Sequence, residues 1–510
     1  MGQIVTKDVF KNEIRNKLKK EGKTIALCHG VFDLVHPGHI AHFRQAAEYA
    51  DVLVVSITSA KYVRKGPGRP YFNDEERLSV LSSIDVIDYC MISDGYTVDD
   101  IIEAVEPDFY VKGEEYSKAS DDITGKISVE QELVEKHGGK LVFTGGVVYS
   151  STRLINNALS AIPDDVRSYM KDLMLRFSMN DIKKYAQKAG ELRVLVIGDT
   201  IIDRYTYCKV QGLMSKNMAY SVRKRDSEDF LGGAIAVARH LSSFSSNVTL
   251  LSVAGNEKEI TDRIKNDLSD YMELNLIKSK EVPTIVKERF VMRNEKRKEY
   301  DKLFAVNNIS DIPGYEEDVR NKLYREIVKT INDFDVVFLC DFGHGMIDDD
   351  VMELVQSKAK LLILNCQTNS SNRGMNIITK YKKTDFFSLD QNELSLAYPS
   401  YKDNEKTKLR KLKRYLGGNG WLTRGASGAY GIEEGIIYKS PALTLDVTDT
   451  IGAGDAFFAV AGIFTAAGAP VELATFLGNV GGALGANIIG NKEAVEAVNV
   501  LKFANTLMNI

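Results

Sequence analysis

Four histidines lie within fourteen residues near the start of the chain, although the whole sequence of 510 residues contains only seven. His36 and His39 are three residues apart and flank Pro37 and Gly38. Proline is favoured in the first turn of a helix, and a helix N-terminus binds anions through its free N–H groups and its dipole. The segment therefore predicts a helix start where two imidazoles donate hydrogen bonds to phosphate oxygens.

Two other interpretations of this cluster stay open on the residues alone. A zinc site would use imidazole ligands, but it needs further Cys, His or carboxylate ligands, and nearby only Asp33 is a candidate. Alternatively, the histidines are ordinary surface residues, and we expect His42 to be a helix-face residue. Gly30 and Gly38 would allow the backbone to approach a ligand closely.

A second pattern with chemical meaning is DVTDTIGAGDAFFAV at 446–460. Gly452, Ala453 and Gly454 are small enough for consecutive N–H groups to converge on an anion at a helix start. Asp455 lies at the same end, where it can accept a proton from a hydroxyl group that attacks a phosphate. Loop glycines before a buried helix also occur for packing reasons. The prediction of an anion site therefore depends on the adjacent acid and on the Thr-rich residues that precede the glycines.

The elements that must position these residues alternate in a regular order. Apolar runs that predict strands are separated by amphipathic stretches that predict helices, which is typical of βαβ units and parallel sheets. Ligands of such sheets bind beyond the carboxyl ends of the strands. The predicted strands form two series, 24–28, 52–57, 109–113 and 140–145, then 193–199, 248–255, 335–343 and 361–365.

The two series predict an α/β protein with two doubly wound domains. The segment NALSAIPDD at 157–165 marks the break between them, and the stretch that follows it is helical in pattern, charged and low in glycine. We therefore expect a first domain over 1–156, a helical connector over 157–190 and a second domain over 191–510.

Composition and charge exclude several classes of protein. A hydrophobic content of 44% and a charged content of 27% are those of a globular protein. The net charge of −4 and the absence of a basic stripe predict no nucleic-acid partner. No apolar run reaches the ~18 residues of a membrane span. Five dispersed cysteines without a CxxC pair favour a reducing compartment, so we expect a cytoplasmic protein. We expect no membrane partner, and either a monomer or a homodimer.

The segment GVFDLVHPGH resembles the HxGH signature of the nucleotidyltransferase superfamily of cytidylyl- and adenylyltransferases. Residues 55–78 look like the family's lysine-bearing loop and Arg-containing helix, 110–116 like its V-K-G-x-x-Y segment, and 149–156 like its closing motif. The resemblance covers about residues 24–156 and implies a Rossmann-like fold. It also implies that a substrate phosphate attacks the α-phosphorus of ATP or CTP in line, and that pyrophosphate leaves.

The same resemblance implies roles for particular residues. His36 and His39 would stabilise the pentavalent phosphorus, and Lys65 or Lys61 would neutralise triphosphate oxygens. Arg77 would be either a helix-surface ion pair or a ligand. Further nucleotide or phosphate contacts are implied for Gly30, Phe32, Gly38, Lys112, Ser151 and Thr152.

The Gly-rich segment resembles the signature of the ribokinase-like (PfkB-type) sugar kinases, and the likeness spans about residues 191–505. It implies an α/β/α fold in which Asp455 is the catalytic base and the N–H groups of Gly452, Ala453 and Gly454 form an anion hole. The other implied site residues are Asp203, Gly232 and Gly233 for the substrate, Thr423, Gly425 and Asn479 for the nucleotide, and Glu393 for magnesium.

Three departures from the kinase pattern lie on or near the acceptor side. Ala236 stands where an Asn usually binds sugar hydroxyls, and Asp390 replaces the Asn of the N-x-x-E motif. The segment NCQTNSSNRG at 365–374 replaces the usual D-P-x continuation. The catalytic end of the pattern is intact, so the departures bear on the identity of the phosphorylated substrate.

A kinase makes a phosphate ester and a nucleotidyltransferase consumes one, so the fusion predicts consecutive steps toward an NDP-sugar. It resembles the bifunctional enzymes of ADP-heptose synthesis with the order of the two halves reversed. The expected cofactors are Mg²⁺, ATP for the kinase, and ATP or CTP for the transferase. The alternative is a cytidylyltransferase for an alditol or glycerol phosphate, whose C-terminal half is a sugar-sensing module.

Overall fold

The chain divides into two compact units, residues 1–170 with 501–510 and residues 171–500. The last ten residues thus group with the first unit, whereas the sequence analysis assigned them to the second domain. The predicted boundaries at 156 and 190 stay predictions, because 146–161 lie outside the described residues. This computed structural model describes residues 2–63, 70–95, 97–113, 127–145, 162–216, 219–294, 299–310, 314–443 and 447–509.

The first unit is built on a sheet of six parallel strands in the order β1-β4-β3-β2-β5-β6. The chain reverses its direction of progress between β2 and β5, and such a switch point opens a crevice at the carboxyl ends of the strands. All four predicted strands of the first series are present. The strands are β1 Gln3–Ile4, β2 Ile25–Gly30, β3 Val52–Thr58, β4 Tyr89–Ser93, β5 Phe109–Gly113 and β6 Lys140–Thr144.

Helices cover both faces of this sheet. Alternate residues of β2 belong to two different apolar clusters: Ile25 and Leu27 to one, Ala26 and Cys28 to the other. Successive side chains of a strand point to opposite faces, so the sheet is buried on both sides, as a doubly wound fold requires. The helices are α1 Lys7–Val9, α2 Arg15–Lys20, α3 Pro37–Ala47, α4 Asp74–Ser82, α5 Asp99–Val105 and α6 Ile127–Lys136, with a π-helical turn at Phe10–Ile14.

The second unit is built on a nine-stranded sheet in the order β11-β10-β7-β14-β15-β16-β17-β18-β19. Its strands are parallel from β11 to β17 and antiparallel from there on. The switch point lies between β7 and β14. These strands are β7 Val194–Gly198, β10 Val248–Ala254, β11 Glu273–Lys278, β14 Val336–Asp341, β15 Leu362–Cys366, β16 Phe386–Asp390, β17 Asn419–Thr423, β18 Ala429–Glu433 and β19 Ile436–Ser440.

A separate four-stranded sheet, which the sequence analysis did not predict, completes the strands of this unit. Its order is β13-β12-β8-β9, with β8 and β12 parallel and the outer pairs antiparallel. Only Asp199 separates β7 from β8, so this sheet starts directly at the carboxyl edge of the larger one. The strands are β8 Thr200–Leu213, β9 Tyr220–Gly232, β12 Ile285–Asn294 and β13 Glu299–Asn308.

The helix that begins at Ala453 is buried along nearly its whole length, as its small and apolar residues predict. No helix in the described ranges is long and apolar enough to cross a membrane. The remaining helices are α7 Asp164–Met174, α8 Met179–Glu191, α9 Gly233–Ser242, α10 Lys258–Leu268, α11 Glu317–Thr330, α12 Asp349–Lys358, α13 Gln391–Ala397, α14 Glu405–Leu416, α15 Ala453–Ala466, α16 Val471–Gly485 and α17 Ala497–Leu507.

Candidate active sites

The two predicted catalytic histidines stack on each other at the start of α3. His36 is the N-cap residue in an extended conformation, and Pro37 takes the first helical position. The rings of His36 and His39 lie 3.9 Å apart between centroids and are 18° from parallel. Burial lowers the pKa of His36, which favours the neutral form of its ring. Gly38 lies between the two histidines in the first turn.

Phe32 supports the histidine pair from the loop after β2. Its backbone has a φ of +45°, in the left-handed region that non-glycine residues rarely adopt. The ring meets His39 edge-on at 5.3 Å and Phe43 at 5.0 Å between centroids. A Cβ atom on Gly30 would lie 2.9 Å from the Phe32 ring, so only glycine leaves room for this arrangement.

Asp33, the nearest candidate for a zinc ligand, has a different role in the structure. Its carboxylate accepts hydrogen bonds from the N–H groups of Tyr71 at 2.7 Å and Phe72 at 3.0 Å. Among the described residues there is no group of three or more His, Cys, Asp or Glu side chains that could hold a metal ion. The zinc interpretation therefore gains no support, and Asp33 organises the segment before α4.

Arg77 forms an ion pair with Asp74 within α4, as one of the two sequence-based alternatives predicts, but it is buried instead of lying at the surface, and its role as a ligand stays a prediction. The residue is 1% exposed. One guanidinium nitrogen donates to the carbonyl oxygens of Val31 at 2.7 Å and Thr58 at 3.0 Å, and another donates to Asp74. Arg77 thereby ties α4 to the end of β3 and to the loop that leads into α3.

The other two histidines of the cluster are held by hydroxyl groups. The nitrogens of His29 lie 2.9 Å from the Ser56 hydroxyl and 3.2 Å from the Thr58 hydroxyl. His42 contacts the Thr144 hydroxyl at 2.7 Å, so it packs against β6 rather than facing solvent alone. Burial lowers the pKa of His29 to about 3 and that of His42 to about 4, and both are neutral structural side chains.

Lys112 lies near the end of β5, next to the switch point, but its ammonium group is already paired with a carboxylate. Its ammonium pairs with Glu130 of α6 at 2.8 Å and lies 4.8 Å from the centre of the Tyr110 ring. A phosphate contact by Lys112 would therefore require exchange of Glu130 for the ligand. Lys61 donates to the Tyr62 hydroxyl at 3.1 Å. Lys65, Ser151 and Thr152 lie outside the described residues.

In the second unit, Asp455 lies in the first turn of α15 and is held by an unexpected partner. The side-chain amide of Gln367 donates to Asp455 at 2.8 Å. Burial raises the pKa of Asp455 to about 6, and the bond from Gln367 opposes this rise. Gln367 belongs to the segment that replaces the usual D-P-x continuation, so one departure from the family pattern contacts the predicted base.

The turn before α15 has the conformation that an anion hole needs. Gly452 has a φ of +83°, and a Cβ atom there would collide with the side-chain amide of Asn491. Ala453 begins the helix, and the Cα of Gly454 faces open space. Three small residues at the positive end of a helix dipole thus leave their backbone accessible to an anion.

A buried hydrogen bond joins this turn to the four-stranded sheet. The hydroxyl of Tyr205, on β8, donates to Asp449 at 2.5 Å. Asp449 also accepts the N–H groups of Ile451 at 3.1 Å and Gly490 at 3.2 Å. Asp449 therefore orders the lead-in to Gly452, and no sequence signal had singled it out.

The residues predicted to bind the acceptor substrate of the kinase, Asp203, Gly232 and Gly233, also lie close together. Asp203 is 5% exposed and forms an ion pair with Arg289 across β8 and β12. A Cβ atom on Gly232 would collide with the Asp203 carboxylate. Gly233 has a φ of +59°, and a Cβ atom there would lie 2.6 Å from the Asp199 carbonyl oxygen. Both glycines are thus required where β9 meets α9, beside Asp203.

Glu393 has a structural role in the described residues. Its carboxylate accepts the N–H groups of Asp390 at 2.8 Å and Thr368 at 3.1 Å, the first of these as part of a capping box at the start of α13. Burial, and then the charge of Asp390, raise the pKa of Glu393 to about 8. A nearby cation would favour the ionised form, so the residue fits the magnesium region, which stays a prediction.

The three predicted nucleotide-side residues lie around β17 to β19. Thr423 ends β17, and Gly425 begins the following turn with a φ of +52°. The amide of Asn479, on α16, donates to the Ser440 hydroxyl at 2.8 Å and the Pro441 carbonyl at 3.0 Å. Asn479 anchors the loop after β19, and its contact with adenine stays a prediction.

The fold and these sites define a chain of two α/β units, each with a polar helix start at the carboxyl edge of a doubly wound sheet. The chain belongs to the pfkB family of carbohydrate kinases, which its residues 191–495 match. Residues 27–157 match the cytidylyltransferase-like domain. The predicted fold class and both family resemblances are confirmed.

Curated relatives include two proteins named Bifunctional protein HldE. That of Desulfatibacillum aliphaticivorans is 36% identical over 151 residues, and that of Geobacter metallireducens is 36% identical over 152 residues. Each match covers 29% of this chain and 29% of the relative, so it spans less than a third of these proteins. Phosphofructokinase-2 from Escherichia coli aligns over 62% of this chain and 99% of its own, with 15% identity and a TM-score of 0.49.

Proposed function

We propose that the protein is a bifunctional enzyme that phosphorylates a sugar with ATP and couples a sugar phosphate to a nucleotide. The observation that carries the proposal is the placement of Asp455, which follows the left-handed turn at Gly452 and has a pKa near 6. The paired histidines of the first unit and the word "bifunctional" in the relatives' name support the second activity. A heptose phosphate is the sugar substrate that the sequence resemblance to the enzymes of ADP-heptose synthesis favours.

In the kinase reaction, Asp455 accepts the proton of an acceptor hydroxyl. The hydroxyl oxygen then forms a bond to the γ-phosphorus of ATP, and the bond between that phosphorus and the leaving ADP oxygen breaks. The N–H groups at Gly452, Ala453 and Gly454 stabilise the charge on the transferred phosphoryl group. Asp203 positions the acceptor by accepting hydrogen bonds from the hydroxyl groups of the acceptor.

In the nucleotidyl transfer, a phosphate oxygen of the sugar phosphate attacks the α-phosphorus of ATP or CTP. The bond to pyrophosphate breaks, and pyrophosphate leaves. His36 and His39 donate hydrogen bonds to the oxygens on which charge develops, at the positive end of α3. Lys65, Ser151 and Thr152 stay part of this proposal as further phosphate contacts.

Mg²⁺ is the proposed metal of both reactions. It usually keeps several waters and is held by one or two carboxylates together with substrate phosphates, which matches a chain whose described residues form no metal cluster of their own. When bound, Mg²⁺ neutralises triphosphate charge. Glu393 is the residue we assign to it in the kinase unit.

Two variants separate the activities. Asp455→Asn should lower sugar phosphorylation by about 10³-fold or more while nucleotidyl transfer to supplied sugar phosphate persists, because only the kinase loses its base. His39→Ala should abolish pyrophosphate release and leave the conversion of ATP to ADP with sugar. ADP and pyrophosphate release would be measured on the full chain with a panel of sugars, sugar phosphates and nucleoside triphosphates.

Exposed Asp270 and half-buried His137 provide the matched controls. Asp270→Asn and His137→Ala remove the same side-chain types outside both sites and should change neither rate. If Asp455→Asn left sugar phosphorylation intact, the kinase assignment would be wrong. If pyrophosphate release depended on no sugar phosphate or alditol phosphate, the transferase assignment would be wrong.

A further inference from the structure

A nearly enclosed ion pair in the first unit joins Lys112, near the carboxyl end of β5, to Glu130, in the first turn of α6. The Lys112 ammonium lies 2.8 Å from the Glu130 carboxylate, and the exposed fractions of the two side chains are 13% and 14%. The hydroxyl of Tyr110, which is fully buried, donates to the same carboxylate at 3.2 Å. Glu130 and Tyr110 thus hold the ammonium of Lys112 in a defined place.

Two hydrogen bonds connect Lys112 to the helix that carries the predicted catalytic histidines. The Thr144 hydroxyl donates to the carbonyl oxygen of Lys112 at 3.3 Å. The same hydroxyl lies 2.7 Å from Nδ1 of His42, which follows His39 by three residues on α3. Burial, and then the charge of Lys112, lower the pKa of His42 and also that of His29, at the end of β2. The ammonium therefore lies at the switch point of the sheet, beside α3.

Phosphate ligands of this crevice compete with Glu130 for the same cation. Phosphate oxygens form charge-assisted hydrogen bonds to an ammonium as a carboxylate does. Opening the pair has a cost, because a nearly enclosed charge that loses its partner is destabilised. The Tyr110 hydroxyl lowers this cost, since it stays bonded to Glu130 when the ammonium turns to a ligand. Opening the pair therefore weakens the binding of phosphate ligands and favours their release.

We propose that Glu130 is a positioning residue of the nucleotidyl transfer, which gives up Lys112 to the phosphates of the nucleoside triphosphate and takes it back as pyrophosphate leaves. The inference rests on the proposed transferase function. It makes Glu130 a competitor that limits the affinity for pyrophosphate, so removal of its charge should tighten the binding of pyrophosphate. Loss of a merely structural partner of Lys112 would instead weaken this binding or leave it unchanged.

The test measures the binding of inorganic pyrophosphate with Mg²⁺ to the full chain by titration calorimetry. Glu130→Gln keeps an acceptor for Tyr110 and should tighten the binding about 10-fold, since the ion pair no longer has to open. Glu130→Asp shortens the carboxylate arm and should have a smaller effect in the same direction. Lys112→Met should weaken the binding about 10-fold through loss of a charge-assisted hydrogen bond. Glu130→Gln should add little to it, because the ammonium that Glu130 held is gone.

The steady-state rates give a second readout. In Glu130→Gln, the KM for the nucleoside triphosphate should fall and inhibition of the transfer by pyrophosphate should become stronger, each about 10-fold. ADP release by the kinase should not change. The matched controls are Glu132→Gln, an exposed residue of α6, and Lys140→Met, an exposed residue of β6, and neither should alter the binding of pyrophosphate.

Two outcomes would overturn the inference and leave the transferase function standing. One is an unchanged or weaker affinity for pyrophosphate in both Glu130→Gln and Glu130→Asp. The other is an equal gain from Glu130→Gln with and without Lys112, which would show that Glu130 acts through its charge alone. If the wild type neither bound pyrophosphate nor released it from any nucleoside triphosphate, the transferase function would fail and the inference with it.

Discussion

Asp455 and Gln367 set the pH range of the proposed phosphoryl transfer. Burial raises the pKa of Asp455 to about 6, and the hydrogen bond from Gln367 lowers it. A general base must be ionised, so kcat/KM for the sugar substrate should fall as the pH falls through about 6. Gln367→Leu removes a bond that favours the ionised form, so this acidic limb should move to higher pH. The measurement is the pH dependence of kcat/KM for phosphorylation.

The control for this change is Gln211→Leu, since Gln211 lies on the exposed part of β8. It should leave the acidic limb where it is. An unchanged limb in Gln367→Leu as well would mean that another group titrates in the wild type. A loss of rate at every pH, without a shift, would mean that Gln367 acts on the substrate instead of on Asp455.

At the residue scale, local motifs could be predicted and long-range partners could not. The helix start at Pro37 and the turn at Gly452 are encoded by neighbouring residues, so sequence spacing located His36, His39 and Asp455. Gln367 lies 88 positions from Asp455, and no local pattern links the two.

At the element scale, Arg77 shows how one buried side chain positions the segment that carries the predicted catalytic histidines. It joins α4, the end of β3 and the loop that leads to His36 through Val31, Thr58 and Asp74. Arg77→Met would leave two carbonyl oxygens and a carboxylate without their donor. We expect a loss of about 3 kcal/mol in the free energy of unfolding of the first unit, measured by thermal or denaturant unfolding.

Nucleotidyl transfer should fall with this change, whereas sugar phosphorylation at a temperature where both units are folded should not. Arg44→Met is the matched control, because Arg44 is an exposed residue of α3 and should tolerate the change. A stable Arg77→Met protein with normal pyrophosphate release would show that the histidines are positioned without this anchor.

The elements themselves were predicted unevenly, for a physical reason. Central strands of the two large sheets, such as β2, β7 and β14, are buried along most of their length and read as short apolar runs, and the sequence analysis located eight strands of these sheets. Strands of the four-stranded sheet carry charged residues such as Arg204, Lys287 and Arg289, and β8 follows β7 after a single residue. Such strands show neither an apolar run nor a strict alternation of apolar and polar residues, so only their pairing with strands that are distant in the sequence defines them.

At the scale of the whole molecule, each unit has a core of its own. Leu81 belongs to a cluster within the first unit and Leu422 to a cluster within the second, and both are fully buried. A buried Leu→Ala change costs about 3 kcal/mol through lost transfer energy and the cavity that remains.

We therefore expect calorimetry of the full chain to resolve two unfolding transitions, with Leu81→Ala lowering the midpoint of one and Leu422→Ala lowering that of the other. The transition that Leu422→Ala lowers should be the one that the sugar substrate of the kinase raises in the absence of ATP, since ligands stabilise the unit that holds them. Both variants shifting both transitions together would show that the two units unfold as one cooperative body, and the separate tests of Asp455 and His39 would then have to be made well below that temperature.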